Sequence, residues 1–224
     1  MLKSDFHIHT TCRTDDLGYS AKDLIKQAAK LGYDVLSITN HNCMTYSDIK
    51  SYAKKHGILL MPGVEVNVGR KHVIILNTKH DSNLDNSKEL EKMKQEGAFL
   101  VAPHPFFPHP SSMRMDFFMQ HKHLFDALEY NFFYTKYINY NNKVMEMGKK
   151  YNIPVVACSD LHCLNNLDRI FTFVDADKNI DSVLEAVRKN KIRIHTEPLT
   201  PFNFAKIGFK VFLSEYFGMK LKPA

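Results

Sequence analysis

The chain has 224 residues, 44% hydrophobic and 24% charged, a balance that suits a globular fold with a sizeable core and excludes disordered, fibrous and disulfide-stapled classes. The formal net charge is +6 with the lysines scattered, which favours anionic small molecules and phosphate esters, with nucleic acid the less favoured partner. None of Cys12, Cys43, Cys158 and Cys163 forms a CxxC pair, the first residues lack an apolar leader, and no run of about 18 apolar residues exists, so a reduced cytoplasmic protein without a membrane span is expected.

Taken in chain order, the first element is FHIHT (6–10), where large apolar residues alternate with histidine. A strand places His7 and His9 on one face and Phe6 and Ile8 on the other, packed outward against helices. Ser20, with Asp23 three residues on, starts a helix whose apolar face is Leu24, Ile25, Ala28 and Leu31, ending at Gly32. DVLSIT (34–39) is a second strand, followed by a polar helix around 45–56. One or two strands fall in 57–68 and another in 72–77, then a helix at 86–96 and strands at 98–103 and 126–131. A helix at 138–150 leads into the strand 153–160, and the strand 170–174, the helix 181–190 and the strand 191–195 close the pattern.

Strands alternating with helices imply an α/β fold with a mainly parallel sheet, and about seven strand–helix repeats in one domain point to a closed or nearly closed barrel. Residues 1–196 form that domain. The remainder, 197–224, is basic and aromatic, and Phe202, Ala205, Phe209, Phe212, Leu213 and Tyr216 recur at helical spacing. This tail reads as a terminal helix docked on the barrel, with a homo-oligomer contact or a peripheral membrane contact as the alternatives.

Side chains able to hold metal fall at the strand ends. His7 and His9 end the first strand, and Asn40 and His41 follow the second. Glu65, His104, Glu129 with Asn131, and Asp160 with His162 mark four further segments, and Asp15 and Asp16 lie in the first loop. His72 opens its strand and reads as start-of-strand polarity or as support for the site. The carboxyl ends of parallel barrel strands converge on one face, so these segments meet there. Imidazoles and carboxylates without thiolates suit zinc, manganese or iron, and their number implies two or three divalent ions. Clustered metals bind phosphate oxygens and activate water for in-line attack at phosphorus.

The ordered set HIHT, ITNHN, GVE, PHP and SDLH, over roughly residues 5–195, resembles the polymerase-and-histidinol-phosphatase (PHP) superfamily. Asn40 stands where that family usually has Asp. The resemblance implies a distorted (β/α)7 barrel and a metal-dependent phosphoesterase. Carried over position by position, it implies that His7, His9, Glu65 and Asp160 hold one ion. Glu65 bridges to a second ion on His104, and Asp15, His41 and His162 hold a third. Asp16 rivals Asp15 for that place. Asn131, with Glu129 as its rival, stands where relatives offer another ligand. The expected substrate is an anionic small-molecule phosphoester, a phosphorylated metabolite or nucleotide. Arg13, close to the first ligands, is a candidate phosphate contact, and His195, ending KIRIH, a candidate contact or proton donor. A nuclease acting on DNA or RNA ends and a non-catalytic metal-binding module are the alternatives.

Overall fold

The structure, a computed structural model, describes residues 1–14 and 16–217, and of 210–217 the backbone alone. Its first half runs β1 (Leu2–Ile8), α1 (Ala21–Lys30), β2 (Val35–Ile38), α2 (Lys50–Lys55), β3 (Leu59–Val68), β4 (Lys71–Leu76), α3 (Ser87–Gln95) and β5 (Phe99–Ala102). The second half runs α4 (Arg114–His121), β6 (Ala127–Asn131), α5 (Asn141–Tyr151), β7 (Val155–Cys158), β8 (Ile170–Val174), α6 (Ile180–Arg188), β9 (Ile192–Thr196) and α7 (Pro201–Phe217). The nine strands make one sheet in the order β7-β6-β5-β4-β3-β2-β1-β8-β9.

Seven strands run in one direction, as a distorted (β/α)7 barrel requires, while β4 and β8 run against them. The sheet is therefore mixed rather than mainly parallel. The reversal at β4 comes from a two-residue hairpin, Gly69–Arg70, in which Val68 pairs with Lys71 and Gly69 adopts φ 62°. A left-handed glycine in a two-residue turn matches the twist of the flanking strands. The run 57–68 holds one long strand, β3, rather than two.

The N-terminal helix starts as its sequence implies. Ser20 Oγ accepts from Asp23 N–H at 3.2 Å and Asp23 Oδ2 accepts from Ser20 N–H at 3.0 Å, a reciprocal capping box. Leu24, Ile25 and Ala28 then bury against Ile8, Leu36 and Ile38.

The first strand departs from simple alternation. Its ladder with β2 pairs Asp5 with Leu36 and Ile8 with Ile38, so one extra residue is inserted between them. Such a bulge re-aims side chains and is common beside active sites. Ile8 consequently packs outward on α1, whereas Phe6 joins Val35, Met61, Ile74 and Val156 in the cluster that also takes in Val183 and Leu184 of α6. Phe6 and Ile8 thus part company, contrary to the expectation from a period of two. Register places Ile74 beside Glu65 and Val156 beside Glu129, so one sheet face carries both the apolar filling and the carboxylates discussed below.

Between β7 and its neighbours across the seam, side chains take over from the ladder. The Thr172 hydroxyl on β8 accepts from Ala157 N–H at 2.8 Å and donates to Ala157 O at 3.0 Å. Asp5 Oδ1 accepts from Ser159 N–H and from His7 N–H, each at 3.2 Å. Burial pushes the Asp5 carboxyl up to about 7 against these hydrogen bonds. Beyond β7, Leu161 bridges Ile8, and His9 N–H donates to Leu161 O at 3.1 Å.

At the other end of the chain, Phe204 of α7 stacks on Phe133 at 4.2 Å. Of the expected stripe, Phe202 and Phe209 are 76% and 62% exposed on the outward side of α7, and the ring contact is made by Phe204. Phe212, Leu213 and Tyr216 have side chains outside the described residues. No helix among the described residues is long and apolar enough to cross a membrane.

Thr172→Val keeps the side-chain volume and leaves the buried Ala157 N–H and C=O without their partner. It is expected to lower stability by about 1–3 kcal/mol, read as a lower urea midpoint at unchanged slope. An unchanged midpoint would show that the seam does not depend on this hydroxyl.

Candidate metal centre

Backbone pairing beyond the strand ends assembles the site. Asn42 N–H donates to Glu65 O at 2.9 Å and His41 bridges Glu65, which sets His41 beside that carboxylate. The Ile8–Leu161 bridge does the same for His9 against Asp160 and His162. Tyr19 Oη donates to His9 O at 2.6 Å and lies 3.0 Å from Leu161 O, tying the two segments together. His104 and Asp160 sit just past β5 and β7 with φ of 31° and 44°, left-handed conformations that cost roughly 1–3 kcal/mol each and recur at functional sites.

Glu65 is the hub. Its carboxylate, 1% exposed, has Oε2 at 3.1 Å from His41 Nδ1, 3.3 Å from His9 Nε2 and 3.4 Å from His7 Nε2. Oε1 lies 2.9 Å from His72 Nδ1 and 3.6 Å from His104 Nε2. Asp160 Oδ1 adds a second carboxylate at 3.4 Å from the Nε2 atoms of both His7 and His9. Ligand atoms of His7, His9 and Glu65 lie within 4.8 Å of one another, as do those of His9, His41 and His162, and those of His41, Glu65 and His72. His9, His41 and Glu65 each belong to two of these trios, which makes room for more than one ion.

Among the described residues neither Glu65 oxygen has a hydrogen-bond partner, and neither does His72 Nδ1, although Glu65 Oε1 and His72 Nδ1 are 2.9 Å apart. The two atoms are close without being aimed at each other, as donors sharing a third centre are. His7 Nε2 and His9 Nε2 face each other at 3.0 Å. Burial disfavours charge on these imidazoles, but Asp160, Glu129 and Glu65 outweigh it at His7 and hold it well above the usual range. At His9 the nearby Asp160 and Glu65 carboxylates overcome burial and lift it to about 9. The same attraction overcomes burial at Glu65 and Asp160 and holds both well below the carboxylate range. A buried pair of carboxylates so placed demands positive charge, and nitrogen and oxygen donors without thiolate fit zinc, manganese or iron.

An outer layer orients these donors. Glu129 Oε2 accepts from His7 Nδ1 at 2.8 Å, which fixes the ring with Nε2 facing the cluster. Asn131 Nδ2 donates to Glu129 Oε1 at 2.6 Å and to Asp160 Oδ2 at 3.4 Å, while its Oδ1 accepts from Phe133 N–H at 2.9 Å. Asn131, expected as a ligand, thus turns its N–H toward Glu129 and Asp160. Asn40 is held in a network of its own. It accepts from Thr10 N–H at 2.7 Å and donates to Thr10 Oγ1 and Thr45 Oγ1 at 3.1 and 2.8 Å.

Of the residues singled out in the sequence, His7, His9, His41, Glu65, His104, Asp160 and His162 converge. His162 has a half-exposed ring and Nδ1 at 2.9 Å from Asp160 O. Asp15 lies outside the described residues, and Asp16 Oδ1 accepts from Gly18 N–H at 3.3 Å in a local turn. Arg13 reaches the mouth, donating to Asn42 O at 2.9 Å and pairing with Asp81 at 3.3 Å. His195 is at the same end of the barrel, but its ring stacks on Phe171 at 4.6 Å and its Nε2 lies 3.7 Å from Glu197. His72 gains the place in the cluster that its strand-start position obscured. Because β4 runs backwards, its beginning, not its end, faces the site.

Glu129→Gln keeps the shape but removes the charge and leaves one acceptor oxygen for the two donors, His7 Nδ1 and Asn131 Nδ2. It is expected to weaken zinc or manganese binding by roughly 10–100-fold, measured by competition with a chelating dye. Unchanged affinity would mean that Glu129 does not set the His7 ring.

Residues 5–194 match the family model of the PHP domain. Over 119 residues the chain is 29% identical to the uncharacterized protein MJ1587 of Methanocaldococcus jannaschii, covering 48% of this chain and 70% of that one. Over 81 residues it is 36% identical to a PolC-type DNA polymerase III of Oceanobacillus iheyensis, covering 36% of this chain and only 6% of the much longer polymerase. A two-domain protein of Bacteroides vulgatus, described as containing a predicted PHP-like metal-dependent phosphoesterase, superposes with a TM-score of 0.68 at 18% identity, over 93% of this chain and 69% of that one. With the family match spanning the barrel and every segment of the histidine–carboxylate cluster, the chain belongs to the PHP domain family.

Proposed function

We propose that this chain is a metal-dependent phosphoesterase that hydrolyses phosphate monoesters of small metabolites or nucleotides. The observation that carries the reading is the Glu65 carboxylate, buried, without hydrogen bonds and surrounded by nitrogens of His7, His9, His41, His72 and His104. Two or three divalent ions bound there would neutralise phosphate charge and lower the pKa of a water for attack at phosphorus.

In this reading His7, His9, Glu65 and Asp160 hold one ion, His104 with Glu65 a second, and Asp15, His41 and His162 a third, with His72 beside Glu65. Glu129 and Asn131 keep the donors oriented by the hydrogen bonds described above. Arg13, whose side chain is 65% exposed at the mouth, exchanges Asp81 for a phosphate oxygen of the substrate. His195, stacked on Phe171, stays at the rim, and no proton transfer is assigned to it. The likeness to part of a DNA polymerase supports a second reading, in which the ester is the end of a DNA or RNA strand.

The deciding assay loads the purified protein with manganese or zinc and offers sugar phosphates, nucleotides, nucleoside bisphosphates, histidinol phosphate and short oligonucleotides, with a chelator as control. Hydrolysis of a small monoester that stops with chelator is expected, and Arg13→Ala is expected to raise its KM while leaving kcat nearly unchanged. Faster turnover of oligonucleotides selects the second reading. Metal-loaded protein that cleaves no phosphoester refutes both and leaves a binding module.

A further inference from the structure

The loops after β1 and β2 run side by side at the mouth of the centre, and they bring two cysteines together. Thr14 Oγ1 donates to His41 O at 2.8 Å and Arg13 Nη2 donates to Asn42 O at 2.9 Å. Farther in, the Asn40 side chain joins Thr10 to Thr45. The first two contacts pair the loops in opposite directions, 14 with 41 and 13 with 42. The same register sets Cys12 opposite Cys43. Both are thiols rather than a disulfide, and the Cys43 thiol is hydrogen-bonded to the Cys12 thiol and to the backbone of Arg13. Cys12 is partly exposed, with Sγ at 2.9 Å from Thr14 Oγ1, whereas Cys43 is 7% exposed. Neither belongs to the trios around Glu65 and His9.

We propose that Cys12 and Cys43 are a two-electron redox site, oxidised by a small-molecule disulfide to a bond that staples the two loops. The accessible Cys12 thiolate attacks one sulfur of the oxidant, breaking its S–S bond and expelling one thiolate. The Cys43 thiolate then attacks Cys12 Sγ, forming the protein disulfide and expelling the second thiolate. The protein thiols give up two electrons and two protons, and the oxidant leaves as two thiols. The staple fixes the segment bearing Arg13 against the loop of His41, so oxidation sets the geometry of one side of the mouth. Because it also closes the chain between residues 12 and 43, it restricts the unfolded state.

The test treats the reduced full-length protein with glutathione disulfide, blocks remaining thiols, and maps peptides without reduction. A peptide joining Cys12 to Cys43 is expected, together with a rise in Tm of several degrees that dithiothreitol reverses. Cys163→Ser should leave the cross-link intact, whereas Cys43→Ser should leave glutathione bound at Cys12 and the Tm unraised. Wild-type protein that keeps glutathione on Cys12, or that shows no joined peptide, overturns the proposal whether or not the variants fold.

Discussion

A carboxylate buried without a hydrogen bond is the constraint around which this molecule is arranged. Removing an ionised group from water is costly unless opposite charge surrounds it. Glu65 meets this by standing among five imidazoles drawn from β1, β4 and the segments after β2 and β5. Three of them, His7, His9 and His104, are held above their usual range against burial by Glu65, Asp160 and Glu129. No short stretch of chain offers so many donors to one point. The barrel does, because it brings strand ends far apart in sequence to a common face.

The features that complete the barrel are also the ones that complete the site. The bulge in β1 sends Phe6 into the apolar filling and leaves His7 and His9 at the cluster. The seam between β7 and β8 is closed by Thr172, and Asp5 joins β1 to Ser159, one residue before Asp160. Tyr19 ties His9 to Leu161, one residue after it. Asp160 is thus gripped on both sides, which is how a left-handed backbone at a donor residue is kept in place.

Much of this was legible in the amino-acid order, for identifiable physical reasons. HIHT, ITNHN and SDLH lie at the ends of strands that run in the common direction, where a rule about carboxyl ends applies, and the alternation of elements implied the barrel. His72 escaped because the Gly69–Arg70 hairpin reverses β4, and a reversed strand offers its beginning to the site. Phe6 was misplaced because a bulge breaks a period of two without a mark in composition. The amide orientation of Asn131 follows from Phe133 N–H and Glu129, contacts that no spacing reveals. The docked face of α7 was equally hidden, since Phe202, Phe204 and Phe209 are alike in kind and only the ring of Phe133 distinguishes them.

Whether the charge of Glu65 organises a shared metal centre is decided by the metal content of the purified protein beside that of Glu65→Gln, measured by inductively coupled plasma mass spectrometry on samples matched for folding by circular dichroism. Two or three zinc, manganese or iron ions per wild-type chain are expected, with most of them lost in the variant. A folded variant with the metal content of the wild type would show that the Glu65 charge does not hold the ions.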